Sequence, residues 1–195
     1  MMTRVSQVIL RSARLVLAPL ADVHLPDEVA LDADAEVMRF LGPVRSAAEV
    51  ARWHRERLAV ARRSPGLGFW AGSVDGEFVG WWLLEPPSRA DQGPVVGQAE
   101  LGYRLARRFW RRGLASEGAR ELIRYGFADL GLSRIFAETM AVNVGSRATM
   151  AAVGMRHVRT LHLPWPDPLP GAQAGEVEYA ITRDEWVAGG SGAAG

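Results

Sequence analysis

The spacing of apolar positions changes several times along this chain, and each change marks an element. Leu15-Val16-Leu17 is a short apolar run closed by Pro19 and predicts a first strand. Ala21 to Leu31 predicts a short helix, and Val37 to Leu41 forms an apolar patch ahead of the Gly42-Pro43 break. Ser46-Ala47-Ala48-Glu49 has the form of a capping box. Val50, Trp53, Leu58 and Val60 then carry a helix to about Arg63, and Ser64-Pro65-Gly66 ends it. Two strands, Gly68 to Val74 and Phe78 to Leu84, flank Asp75-Gly76, a tight-hairpin dipeptide. Pro86 to Gly97 reads as a loop and Gln98 to Leu105 as a fourth strand.

Downstream, Ala119, Leu122, Ile123 and Phe127 share one face of a helix predicted from Ala115 to Leu130, with Gly131 as its stop. A buried strand over Arg134 to Ala141 follows, then a helix over Val144 to Ala152 with Gly154 behind it. A strand over Met155 to Leu163, a rigid proline-rich loop over Trp165 to Gly171 and a last strand over Val177 to Thr182 complete the pattern. This order fits one mixed α/β domain over residues 1–187. The Gly/Ala/Ser-only stretch 188–195 is expected to be a flexible tail.

Composition narrows the chemistry. At 195 residues, 48% apolar and 23% charged, the chain is an ordinary globular one, sized for a single core. Its net charge of +1 provides no basic field for nucleic acid, and no nucleic-acid recognition motif accompanies the arginines. All 23 basic residues are arginine, which codon bias explains without any ligand, so position rather than abundance is informative. The absence of cysteine excludes disulfides, zinc–thiolate sites and a thiol nucleophile. No segment approaches the roughly 18 apolar residues of a membrane span, and a cytoplasmic protein is expected. His24, His54, His157 and His162 lack metal-ligand spacing, so no metal is expected.

The most informative segment is Ala99 to Ser116. A strand ends in Arg107, Arg108, Arg111 and Arg112, then turns through Gly113-Leu114-Ala115-Ser116 into a helix. Outward N–H groups from Trp110 through Ser116, the helix dipole and the small Gly113 suit a pyrophosphate. An exposed arginine-rich loop is the plainer account of the same residues. Farther on, Asn143 opens a helix that ends at Gly154, and a simple N-cap explains it.

Taken together, these segments resemble the GCN5-related N-acetyltransferase superfamily, and within it the ribosomal-protein N-terminal acetyltransferases. Trp110-Arg111-Arg112-Gly113-Leu114-Ala115 is similar to that family's Gln/Arg-x-x-Gly-x-Gly/Ala signature, with tryptophan in the first position. Ala99 to Tyr103, Asn143 to Met155, Ala13 to Leu17 and Glu178 to Trp186 resemble its other motifs in order, so the likeness covers about residues 12–187.

The resemblance implies a mixed sheet of about seven strands, splayed between the fourth and fifth and flanked by about four helices. It also implies acetyl-CoA as donor, paired along Tyr103, Arg104 and Leu105, with its phosphates on Trp110 to Ser116. Asn143 would hold the pantetheine arm and Arg147 the phosphates. Glu100 is the implied general base. The family's usual acid, a tyrosine seven residues after the asparagine, is Met150 here, and Ser146 is the substitute. Trp82, His162 and Trp165 are expected to line the acceptor pocket, with Trp81 and Asp167 also plausible there. The acceptor is a primary amine, either a protein N-terminus or a small molecule, in a monomer or homodimer. A catalytically silent acyl-CoA-binding module is the alternative.

Overall fold

The computed structural model describes residues 6–162, 164 and 167–190. Eight strands form one sheet: β1 (Leu10–Arg11), β2 (Val16–Pro19), β3 (Gly68–Val74), β4 (Glu77–Glu85), β5 (Gln98–Leu105), β6 (Arg134–Met140), β7 (Arg156–Leu161) and β8 (Glu176–Thr182). Six α-helices accompany them: α1 (Leu25–Asp32), α2 (Ala35–Met38), α3 (Ala47–Arg63), α4 (Leu114–Ala128), α5 (Val144–Ala152) and α6 (Arg183–Gly190). The strand order is β1-β2-β3-β4-β5-β6-β8-β7. The added strand is β1, whose two residues are too short for an apolar period. The expected fourth and fifth strands are therefore β5 and β6. Residues 188–190 continue α6, and Ser191 to Gly195 lie outside the described residues.

Local rules explain most element boundaries. Ser46 Oγ accepts the Glu49 N–H at 3.3 Å and Glu49 Oε2 accepts the Ser46 N–H at 2.8 Å, so the α3 capping box closes as predicted. Asp75 and Gly76 both have positive φ, 51° and 81°, as a two-residue turn between β3 and β4 requires. One sheet face carries Leu17, Trp70, Trp82, Leu84, Leu101 and Ile135 under α4 and α5. The other carries Leu20, Phe69, Trp81 and Leu83 under α1 and α3.

A buried ionic cluster fastens the second layer. Arg104 on β5 pairs with Asp32 of α1, which also meets Arg45 at 3.0 Å. Glu28 is bound by His54 and by Arg57, the latter at 2.5 Å.

Trp82 lies fully buried beneath α4, and its indole N–H donates to the Ala115 carbonyl at 3.2 Å. A Cβ added at Gly118 would fall 2.5 Å from that ring. In an ordinary helix interior, Gly→Ala stabilises by roughly 0.5–1 kcal/mol. Here overpacking outweighs propensity, and Gly118→Ala is expected to destabilise by about 1–3 kcal/mol. Urea unfolding checks the sign.

The feature that makes a site is a break in pairing. β5 and β6 run parallel but match only over Gln98–Glu100 and Arg134–Phe136. Beyond that, β5 stays with β4 as far as Leu105 and β6 stays with β8 as far as Met140. The two strands therefore part. The Ala106 N–H bonds the Val79 carbonyl at 2.9 Å. By antiparallel alternation the main-chain groups of Gly102 and Arg104 point to β4, and those of Leu101, Tyr103 and Leu105 point into the gap.

Candidate active site

At the open end of the gap, α4 begins without a side-chain cap. Gly113 is its N-cap in the left-handed region, φ 76°, and Arg111 two residues earlier has φ 57°. The first helical bond runs from the Glu117 N–H to the Gly113 carbonyl, 3.0 Å. The N–H groups of Leu114, Ala115 and Ser116 precede it and point outward along the axis, an arrangement that suits an anion.

The acid in this first turn is turned away from the ligand side. Glu117 accepts Ser12 Oγ at 2.7 Å and both the backbone N–H and Nε of Arg14, at 2.8 and 2.7 Å. Arg14 Nη1 reaches the Arg112 carbonyl at 3.0 Å, so the β1–β2 turn braces the loop. Arg111 and Arg112 are exposed beside this turn, and Arg108 is engaged with Glu77 at 2.8 Å. Trp110 is exposed and donates its indole N–H to the Leu105 carbonyl at 2.8 Å. This turn and the free β5 edge together fit a pyrophosphate followed by an amide-bearing arm.

Across the gap, Asn143 Oδ1 caps α5 by accepting the Ser146 N–H at 3.2 Å, and its Nδ2 donates to Thr139 Oγ1 at 3.0 Å. The Tyr103 hydroxyl spans from β5 to α5, 3.1 Å from the Ser146 carbonyl and 3.2 Å from Ser146 Oγ. Burial pushes the Tyr103 phenol upward, so it stays protonated. Met150 is buried in the core.

On the opposite face of β5 lies a cluster of carboxylates. Glu100 faces Glu85 directly in the β4–β5 register, and Glu138 stands two residues beyond Glu100's β6 partner, Phe136. Burial, then the charges of Glu85 and Glu138, push the Glu100 carboxyl up to about 7. Burial also raises Glu85 and Glu176. Glu138 is bound by Arg89 at 2.8 Å, while Glu178 is held by Arg134 and, at 2.6 Å, by Arg159. A half-buried carboxyl poised near neutrality can take a proton from an amine at physiological pH.

Three expectations are corrected. Arg104 does not face the gap: its backbone points to β4 and its guanidinium is buried on Asp32. Arg147 is drawn back to the Ala141 carbonyl at 3.0 Å and the Tyr179 hydroxyl at 3.4 Å, because a long side chain one turn into α5 reaches β6 and β8 first. Trp82 lines no acceptor pocket, since its face of β4 is covered by α4.

His162 is exposed just past β7, alongside Gly175, and Trp165 lies outside the described residues. Glu85, Glu138 and Gln92 also belong to this site, although no motif singles them out. The hairpin register and the period of two in β6 pointed to the first two, whereas nothing local pointed to Gln92 in its loop.

Among the described residues, no three His, Asp or Glu side chains converge so as to hold a metal ion. None of their helices is long and apolar enough to cross a membrane.

The acetyltransferase (GNAT) domain model matches residues 14–156. The FsC-acetyl coenzyme A-N(2)-transacetylase of Aspergillus fumigatus is 41% identical over 190 residues, covering 95% of this chain and 81% of that protein. A GNAT-family acetyltransferase from Bacillus anthracis has the same fold, with a TM-score of 0.74 at 20% identity over 91% of this chain and 99% of that one. So does RimL, the ribosomal L7/L12 alpha-N-protein acetyltransferase solved with coenzyme A, with a TM-score of 0.76 at 18% identity over 91% and 99%. With the domain model spanning most of the chain and a splayed sheet leading to an uncapped helix, this acyltransferase belongs to the GNAT acetyltransferase family.

Proposed function

We propose that this acetyltransferase moves an acetyl group from acetyl-CoA directly to the primary amine of a small molecule. The observation that carries the reading is the Glu100 carboxyl, half-buried where β5 and β6 begin to part and set directly across from Glu85, an arrangement that pushes it up to about 7. The fungal relative is named for transfer to an N(2) nitrogen, which supports reading the acceptor as an amine numbered within a small molecule and not as a protein N-terminus.

Acetyl-CoA supplies an activated acyl thioester, and the chain's own residues do the rest. The N–H groups of Leu114, Ala115 and Ser116, with Arg111 and Arg112 nearby, hold the phosphates. The Tyr103 and Leu105 N–H groups, free on the gap side, pair with the arm, and Asn143 closes it from α5. A gap-facing N–H is placed to polarise the thioester carbonyl.

The amine must be neutral to attack. For an α-amine of pKa about 8 that costs roughly 1.4 kcal/mol at pH 7, against about 4.6 for a lysine-like amine. Glu100 takes the amine's proton, and the surrounding carboxylates favour a cation on approach. The departing thiolate takes its proton through Ser146 Oγ, which recovers one from solvent in the same relay and shares a hydrogen bond with the Tyr103 hydroxyl. With no cysteine in the chain, no thioester is formed on the protein, and transfer occurs within a ternary complex.

Thiol release from acetyl-CoA, followed with a panel of small amines and free-N-terminus peptides, tests this, and the cysteine-free chain contributes no background. Small α-amines are expected to turn over fastest. Binding of acetyl-CoA with no thiol release for any amine would establish the silent-module reading. Ser146→Ala is expected to lower kcat about tenfold or more with little change in acetyl-CoA affinity, and an unchanged kcat would remove Ser146 from the mechanism.

A further inference from the structure

The loop between β4 and β5 carries a glutamine whose surroundings the proposed chemistry has not yet used. Gln92 ends a short turn over Ala90–Gln92 and is 3% exposed. Its Oε1 accepts two backbone N–H groups, from Ser88 at 2.8 Å and Arg89 at 3.0 Å. Those two donors fix which way the amide points, because only the oxygen can receive them. The NH2 group is thereby aimed at two carboxylates, Glu100 Oε2 at 3.2 Å and Glu138 Oε2 at 3.3 Å. The turn is held in place in its own right: Gln98 Nε2 donates to the Gln92 carbonyl at 3.2 Å, and Arg159 donates to the Asp91 carbonyl at 2.7 Å.

We infer that Gln92 is the positioning residue for the proton acceptor of this enzyme, holding one oxygen of Glu100 by its amide so that the other faces the amine. The inference rests on Glu100 as the base. Gln92 is the one hydrogen-bond partner of the Glu100 carboxylate among the described residues, so its amide alone orients that group. An amide suits the position for a charge reason as well. A cation here would pair with Glu100 and abolish its basicity, and an anion would keep it protonated. A neutral donor shared between two carboxylates orients both and lets one of them titrate.

The groups that face Glu100 are known from every side. Glu85 lies across from it on β4, with Arg57 of α3 acting on Glu85. Glu138 lies on β6, while Arg89 and Gln92 come from the loop. Burial, Glu85 and Glu138 raise the Glu100 carboxyl, whereas Gln92 and Arg89 lower it. Loss of the amide therefore moves the titration upward. A hydrogen bond to a charged group of the usual strength corresponds to a shift of about one pH unit.

The test uses the full chain and three variants, Gln92→Leu, Gln92→Glu and Glu100→Gln. Carbon-13 NMR of glutamate-labelled protein follows the carboxyl titrations, and Glu100→Gln identifies the resonance. Glu100 is expected to titrate near 7 in the unaltered protein, about one unit higher in Gln92→Leu, and higher still in Gln92→Glu.

In parallel, the acid limb of kcat/KM for one amine should move up by the same amount. Activity of Gln92→Leu would then be several-fold low at pH 7 and recover near pH 9. Because the amine is common to all variants, movement of the limb belongs to the enzyme. A uniform loss of rate at every pH with an unmoved Glu100 titration would overturn the inference and leave Gln92 a packing residue.

Gln92→Glu keeps the size and one acceptor oxygen, so it reads out the same question if Gln92→Leu fails to fold. If Glu100→Gln turns over as fast as the unaltered protein, the base assignment itself fails. The titration shift would still report whether Gln92 controls Glu100.

Discussion

Gly113→Glu is expected to weaken acetyl-CoA binding about a hundredfold, close to 3 kcal/mol, with the fold intact. The position separates space from charge. A Cβ built there lies 3.5 Å from Arg14 Nη2, an ordinary contact, so a side chain fits. The backbone, at φ 76°, is one that a side chain adopts at a cost of about 1–2 kcal/mol. Gly113→Ala therefore carries the strain alone and Gly113→Glu adds a carboxylate at the positive end of α4. Calorimetric titration with acetyl-CoA, alongside a thermal melt of both variants, resolves the two contributions. Equal affinity in the Ala and Glu variants would mean that the phosphates do not sit on this turn.

The second large effect belongs to Glu100. Glu100→Gln preserves size and removes the proton acceptor, and its expected cost is about 10²–10⁴-fold in kcat/KM. The loss should be greater for amines of high pKa, which arrive almost wholly protonated at pH 7. An equal loss for weakly and strongly basic amines would show that the carboxylate orients the acceptor instead of deprotonating it.

The same substitution has a predictable effect on stability. The folded-state value is raised from the ordinary 4.5 to about 7, chiefly by burial. Below pH 4.5 the carboxyl is protonated in both folded and unfolded states, and its contribution is fully present. As pH rises from 4.5 through 7, the unfolded chain releases its proton first and that contribution is lost. At pH 8 the charged Glu100 thus destabilises the fold by up to about 3 kcal/mol. Glu100→Gln should be the more stable protein at pH 8 and no more stable at pH 4, as urea unfolding at the two values would show. A carboxyl held at such a cost is consistent with the proposed role of Glu100 maintaining the arrangement.

Much of the fold was legible from residues close together in sequence. The capping box at Ser46 and Glu49 and the Asp75-Gly76 turn depend on partners within a few residues, so composition and spacing suffice. The boundaries of β3, β5 and α5 agree residue for residue with the expected ones for the same reason. β1 escaped because a two-residue strand has no period and exists only by pairing with β2. The candidate site was legible unevenly. Gly113 and the first turn of α4 form a local structure whose unpaired N–H groups follow from the backbone itself.

Arg104 shows where that reasoning ends. Its place beside Tyr103 in a cofactor strand suggested a shared role, yet alternation sends its backbone to β4 and its guanidinium to Asp32, 72 residues away. Arg147 and Trp82 were misplaced for the same reason, because what covers a side chain is supplied by distant segments. Gln92 lay in a stretch whose sequence pattern suggests only a loop, and it matters because the tertiary structure folds that loop over two carboxylates.

By itself the sequence determined most of the longer elements, their order, the turn at Gly113 and the family, since these follow from short-range geometry and motif spacing. The tertiary structure alone decided which carboxyl is desolvated, which donors reach it and which arginines are used up in ion pairs. Burial and long-range electrostatics depend on what packs over a residue, and neighbours in the chain do not encode that.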